Sequence, residues 1–175
     1  DILTKLEKVI NDFAFEFAKR KKEKNIIDFG DIEHYALKIL VKEENGKFVP
    51  TEVAKRYQEK FVEIAIDEYQ DSNRVQEEIL SKVSKGNNVY MVGDVKQSIY
   101  KFRLACPDLF LEKYDKYSLD GNNNGLKIQL FKNFRSRENV LDVTNEVFEN
   151  IMSKELGEIE YNQSEYLNFM ASYED

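Results

Sequence analysis

Apolar residues recur at helical spacing through much of the chain. In the first 22 residues they fall at three- and four-residue steps, which predicts an amphipathic helix with the stripe Ile2, Leu6, Val9, Phe13 and Phe17. The same periodicity, with helix-start residues such as Thr51 and Ser136, predicts further helices at residues 31–41, 51–60, 73–83, 108–117 and 137–151. Residues 45–50 are predicted to form a turn.

Three short apolar runs have the pattern of buried strands. They begin at Phe61, Asn88 and Ile128, and each ends in polar residues. Buried parallel strands appear in a sequence as short, continuous apolar runs, and ligands of open α/β sheets bind at the carboxyl ends of such strands. The alternation of these runs with helical stretches predicts an α/β fold with a parallel sheet and a helical N-terminal arm.

The residues that follow the three runs carry candidate phosphate chemistry. Asp67 and Glu68 end the first run, and two such carboxylates suit a bound Mg²⁺ together with a proton acceptor for an attacking water. An acidic, solvated turn is the ordinary alternative. Gln97 follows the second run and Arg135 the third; glutamine can orient a water, and arginine can neutralise charge on a phosphoryl group.

Three motifs in this order resemble the UvrD/Rep-type superfamily 1 DNA helicases. The sequence DEYQD at Asp67–Asp71 is similar to helicase motif II, GDVKQSIYKFR at Gly93–Arg103 to motif III, and KNFRS at Lys132–Ser136 to motif IV. The flanks Ile26–Leu40 and Glu155–Tyr173 resemble the AddA component of the AddAB-type ATP-dependent helicase/nuclease. That family processes double-strand DNA ends, in a role like that of RecBCD.

The resemblance implies a site for ATP and Mg²⁺ on a RecA-like parallel sheet. Asp67 would bind Mg²⁺, and Glu68 would be the general base for the hydrolytic water. Gln97 would contact the γ-phosphate and couple it to DNA, and Arg135 would be an arginine finger toward the same phosphate. Phe134 would stack near the adenine base.

The resemblance also implies DNA-binding residues within motif III, namely Tyr100, Phe102 and Arg103. Phe102 stands where these helicases often carry a tryptophan that stacks on a DNA base, and such stacking contributes roughly 1 to 3 kcal/mol per base. Leu104 replaces the usual glycine of the family, which leaves the local backbone shape open.

The phosphate-binding loop of such motors is absent from this sequence. No GxxxxGK[ST] motif is present, and the glycines near Gly121 and Gly125 indicate a flexible loop. Since the chain also begins without methionine, we expect an internal piece of a larger protein that carries half of an ATP site and is inactive in isolation. The expected parts are a helical arm at 1–45, the C-terminal half of motor domain 1 at 46–136, and the start of a second motor domain at 137–175.

Composition narrows the setting. The net charge of −7 argues against a free-standing nucleic-acid-binding domain, although a motor can bind DNA in a groove while the rest of its surface is acidic. The single cysteine, Cys106, excludes an internal disulfide and a cysteine-rich zinc site. No apolar stretch of about 18 residues and no signal-peptide pattern occurs, so we expect a cytoplasmic protein without a membrane span.

We therefore expect a fragment of an ATP-dependent DNA helicase that acts in double-strand break end processing for recombinational repair. Its expected partners are single-stranded DNA, duplex ends and an AddB-like nuclease subunit in a heterodimer, and nuclease activity would belong to missing regions. The alternatives are a non-enzymatic interaction module of a degenerate motor, and a metal nuclease using Asp67, Glu68 and Asp71.

A further expectation concerns the sheet. In RecA-like folds the phosphate-loop strand lies between the strands of motifs III and IV, which here end near Gly93 and Phe131. Open strand edges invite pairing. We expect these two strands either to pair directly or to be joined by a strand from a neighbouring copy or another segment.

Overall fold

A computed structural model describes residues 1–122, 125–157 and 159–172, apart from the side chain of Arg103. The chain divides into two compact units, one formed by residues 1–66 and 72–91 and the other by residues 67–71 and 92–175. Both mix helices with short strands, as the sequence predicts. The domain boundaries at 45 and 136 stay predictions.

The first unit contains four helices and two pairs of strands. In chain order these are α1 (Ile2–Lys24), α2 (Phe29–Leu40), β1 (Val41–Glu44), β2 (Lys47–Pro50), α3 (Glu52–Lys60), β3 (Ile64–Ile66), α4 (Arg74–Val83) and β4 (Val89–Met91). Strand β1 pairs with β2 in an antiparallel hairpin, and β3 pairs with β4 in parallel, with Ile64 opposite Val89. The core gathers around Leu40, Ala54 and Val83.

Local chemistry explains where these elements begin and end. Asp1 caps α1, Asn25 ends it in the left-handed conformation, and Thr51 accepts a hydrogen bond from the Ala54 N–H at the start of α3. Helix α4 is capped by Asn73 rather than by Ser72, because Asn73 and Gln76 form a reciprocal capping box. The apolar stripe of α1 is exposed along its whole length.

The prediction of a turn over residues 45–50 is wrong for most of that stretch. Only Asn45 and Gly46 form the turn, both with positive φ (53° and 73°), and residues 47–50 form strand β2. An Asn-Gly pair favours the tight turn that joins two antiparallel strands. The hairpin therefore follows from a signal that the sequence does contain.

The second unit is built from three helices, two very short strands and three 3₁₀ turns. The helices and strands are α5 (Pro107–Lys116), β5 (Lys132–Asn133), α6 (Glu138–Ile151), α7 (Lys154–Gly157) and β6 (Asn168–Phe169). The 3₁₀ turns are Tyr69–Asp71, Val95–Gln97 and Lys101–Arg103. Pro107 opens α5, as predicted, because its missing N–H and fixed φ suit the first turn of a helix.

A buried network joins α6 to the segment around β6. The Tyr161 hydroxyl donates to Asn145 Oδ1 over 2.7 Å, and both side chains are buried. Asn145 also accepts the Leu167 N–H (3.0 Å) and donates to the Leu167 carbonyl (3.1 Å). The predicted stripe of α6, Val140, Val143, Val147 and Ile151, is exposed, and Leu141 takes the buried position instead.

The predicted strand at Ile128–Phe131 does not form. These residues have no regular structure, and β5 begins only at Lys132, where it pairs in parallel with β6. A strand needs a neighbour for its backbone groups, and the sequence lacks the phosphate-loop strand that the resemblance places beside it. Direct pairing of the motif III and motif IV strands is also wrong, since β4 pairs with β3 and β5 with β6 in the described chain.

Candidate nucleotide site

Motif II forms a short turn directly after strand β3. Asp67 and Glu68 are exposed, and Asp67 Oδ1 accepts the Glu68 backbone N–H over 2.9 Å. Glu68 has a φ of 49°, a left-handed conformation that is uncommon outside glycine and that concentrates at functional sites. The turn thus presents two adjacent carboxylates to solvent, where a ligand can reach them.

Motif II is hydrogen-bonded to motif III through backbone and side chain. The Tyr69 N–H donates to the Val92 carbonyl over 2.9 Å. The buried Gln70 side chain donates from Nε2 to Glu68 Oε2 (2.6 Å) and accepts the Asp94 N–H at Oε1 (3.0 Å). The two motifs are therefore held in a fixed register.

Motif III continues this network through Asp94. Gln97 is exposed, and its Nε2 donates to Asp94 Oδ2 over 3.1 Å. Lys96 binds Asp94 Oδ1 (2.9 Å) and Glu165 Oε2 (3.3 Å). Burial lowers the pKa of Lys96, but the bonds to these carboxylates outweigh it and leave that pKa above its ordinary value. Lys96 is thus a charged anchor for Asp94.

Asp71 completes the acidic turn in a different environment. Its Oδ1 is buried without a hydrogen-bond partner, and burial, with the charge of Glu68, raises the pKa of Asp71 above 3.8. In the part of the chain that the structure describes, no three His, Cys, Asp or Glu side chains are placed to hold a metal ion together. The metal-nuclease alternative through Asp67, Glu68 and Asp71 therefore has no structural support.

Motif IV lies in a loop after β5. Asn133 Oδ1 accepts the N–H groups of Arg135 (3.0 Å) and Ser136 (2.9 Å), which fixes the backbone of the turn. The side chains of Phe134 and Arg135 are exposed. Unlike Glu68 and Gln97, which one hydrogen-bond path connects, these two residues keep their proposed roles on the resemblance alone.

The aromatic cluster of motif III is accessible. The rings of Tyr100 and Phe102 lie 5.9 Å apart at 47°, and Phe102 is 75% exposed. Leu104 has a φ of 67° and is 80% exposed, so the backbone keeps the left-handed shape that glycine favours at this position. The side chain of Arg103 lies outside the described residues.

Residues 2–118 match the family described as the UvrD/REP helicase N-terminal domain. The chain belongs to this family. It is also similar to proteins named as the AddA component of an ATP-dependent helicase/nuclease. Identity is 52% with that of Clostridium botulinum (strain Alaska E43 / Type E3), over 98% of this chain and 14% of the relative. It is 53% for Thermoanaerobacter sp. (strain X514), over 99% and 14%, and 47% for Staphylococcus aureus (strain JH9), over 97% and 14%.

The chain thus spans about one seventh of the length of these relatives, whose name combines a helicase and a nuclease. The predicted family is confirmed. Within the described residues, no helix is long and apolar enough to cross a membrane.

Sequence reasoning missed Gln70 and Lys96 as parts of this site. Both lie inside the recognised motifs, but the patterns that identified the site were carboxylates and arginine at strand ends. A glutamine flanked by Tyr69 and Asp71 in the first turn after a buried strand is the signal that could have revealed the buried bridge.

Proposed function

We propose that this chain provides one half of the ATP site of a DNA helicase and works within a longer protein. The observation that carries the proposal is the hydrogen-bond path from Glu68 through Gln70 and Asp94 to Gln97, which links motif II to motif III. The parallel pair β3 and β4 supports a RecA-like sheet. The small share of the relatives that the chain covers supports its place in a larger molecule.

Asp67 suits a magnesium ion. Mg²⁺ is usually held by one or two carboxylates together with substrate phosphates and waters, and Asp67 is an exposed carboxylate whose Oδ2 is left for such a ligand. The ion, when bound, would neutralise charge on the phosphates. The fit needs no further protein ligand.

The chain's own groups would carry the hydrolytic step. The Glu68 carboxylate accepts a proton from the attacking water, and Gln97 contacts the γ-phosphate. Arg135 neutralises charge on the transferred phosphoryl group, and Phe134 stacks near adenine. Positioning and electrostatics supply nearly all of phosphoryl-transfer catalysis, which is why such a site needs fixed donors more than covalent chemistry.

Motif III would couple the nucleotide to DNA. Gln97 ends one 3₁₀ turn, and the rings of Tyr100 and Phe102 follow within five residues. Exposed rings can stack on single-stranded bases of any sequence. A change in the γ-phosphate contact at Gln97 would therefore reach the DNA-stacking rings through a short stretch of chain.

The name that the relatives carry supports a helicase/nuclease as the complete protein. We accordingly propose double-strand break end processing as its task, with single-stranded and duplex DNA ends as substrates. An AddB-like nuclease is the proposed partner in a heterodimer, and the predicted cytoplasmic location goes with this role.

The test compares the isolated 175-residue chain with the complete protein that carries it. The complete protein should hydrolyse ATP with stimulation by single-stranded DNA. The isolated chain should not, because it lacks the lysine and amide groups that hold the β- and γ-phosphates. A complete protein without ATPase activity would point instead to a non-enzymatic interaction module, and turnover by the isolated chain would refute the half-site proposal.

A further inference from the structure

Gln70 is the most deeply buried polar side chain of the candidate site. It is 1% exposed, although it lies between the exposed Glu68 and the partly buried Asp71. Burying an amide is costly unless its oxygen and nitrogen find partners. Here both ends are bonded, so burial of this side chain coincides with a specific connection.

The chemistry of its partners determines the orientation of the Gln70 amide. The Asp94 backbone N–H can only donate, so it must meet Oε1, and the Glu68 carboxylate accepts the remaining N–H of Nε2. A flipped amide would bring two donors together at Asp94 and two acceptors together at Glu68. The bridge therefore has one stable arrangement.

Gly93 leaves the Gln70 side chain no room to move. A Cβ at this position would lie 2.6 Å from Gln70 Oε1, 3.0 Å from Phe110 Cε2 and 3.2 Å from the Tyr69 nitrogen. The φ of Gly93 is not in the positive region, so space rather than backbone conformation requires glycine here. The buried end of the bridge is thus held by packing as well as by hydrogen bonds.

We propose that Gln70 is a positioning residue that holds the Glu68 carboxylate in place by anchoring it to the backbone of motif III at Asp94. The inference rests on the proposed role of Glu68 as general base. Glu68 is otherwise exposed, and its side chain would sample several rotamers. A bond from a rigid, buried amide restricts the carboxylate to one position, and catalysis is sensitive to displacements of about 1 Å.

The test replaces Gln70 by methionine in the complete protein that carries this chain. Methionine keeps the length and volume of the side chain and removes both hydrogen bonds. Gln70→Met should lower kcat for single-stranded DNA-stimulated ATP hydrolysis by about 10- to 100-fold. The KM for ATP should stay within about twofold, because Gln70 is not proposed to touch the nucleotide.

Gln76→Met is the matched control. Gln76 also donates from Nε2 to a carboxylate, Glu33 Oε1, over 2.7 Å, but it lies in the first turn of α4. This variant loses a bond of the same kind and should keep the kcat of the unmodified protein. Equal kcat values for Gln70→Met and Gln76→Met would overturn the proposal.

A double variant separates this inference from the proposed function. In a Glu68→Gln background, Gln70→Met should cause little further loss, because the positioned base is already gone. If Glu68→Gln alone keeps normal turnover, the general-base role and the positioning role both fail. If Glu68→Gln is inactive and Gln70→Met is normal, the positioning role alone fails.

Gly93→Ala decides the question if Gln70→Met does not fold, as judged by circular dichroism. It keeps every hydrogen-bonding group but pushes against Gln70 Oε1, so kcat should fall with KM unchanged. Gly30→Ala is its control, since the nearest atom to a Cβ there lies at an ordinary 3.4 Å. A folded Gly93→Ala protein with normal kcat would refute the proposal.

Discussion

Asn145 stabilises the segment around β6, and its removal should cost measurable stability. Asn145→Ala deletes three hydrogen bonds, one from the Tyr161 hydroxyl and two with the backbone of Leu167. The Tyr161 hydroxyl is left buried without a partner, at a cost of about 2 kcal/mol. The Leu167 groups are partly exposed and regain water, so each bond there contributes about 1 kcal/mol.

The better helix propensity of alanine returns about 0.5 kcal/mol, so the expected loss in the free energy of unfolding is about 3 kcal/mol. Urea unfolding followed by circular dichroism measures it, and amide exchange at Leu167 reports whether the loss is local. Asn150→Ala is the matched control, because Asn150 lies on the same helix but is exposed. Its effect should stay within about 0.5 kcal/mol. Equal stabilities for the two variants would refute the reasoning.

Three further predictions concern the motif loops. Leu104→Gly should stabilise the protein by about 0.5 to 1 kcal/mol, because it relieves a left-handed residue that is exposed, whereas Leu119→Gly, at an exposed position without positive φ, should destabilise it in the same urea assay. Asp71→Asn should raise the melting temperature near pH 7, since burial and a neighbouring carboxylate raise the pKa of Asp71 in the folded state above 3.8. The gain should disappear below about pH 3.8, where folded and unfolded states both hold the proton, and a gain that grew on acidification would contradict this sign. Phe102→Ala should weaken single-stranded DNA binding by the complete protein by about 1 to 3 kcal/mol while changing its stability little, and unchanged affinity in a fluorescence titration would remove Phe102 from the DNA site.

Much of the local structure could be predicted from the sequence because its causes are local. The periodicity that predicts α1, the cap at Thr51 and the proline that opens α5 act within one or two helical turns. The motif residues at the ends of β3 and β4 were placed by the same reasoning, since strand ends gather polar residues in α/β sheets.

The remaining features depend on partners that lie far apart in the sequence. Strand β5 forms only where Asn168 and Phe169 pair with it, and no pattern within residues 128–133 reveals that choice. The bridge formed by Gln70 depends on Asp94 and on the space left by Gly93, 23 residues further along the chain. The hairpin at Asn45 differs, because its turn signal was present and was underused.

The central claim is that Glu68 is the general base of an ATP-hydrolysing motor, and Glu68→Gln in the complete protein tests it most directly. Single-stranded DNA-stimulated ATPase activity should fall by about 10²- to 10⁴-fold, while nucleotide binding stays largely intact because the shape is kept. Arg135→Ala should also depress turnover, through lost charge stabilisation. Glu112→Gln, an exposed carboxylate on α5, is the control and should be normal. Near-normal ATPase activity of Glu68→Gln would contradict the account.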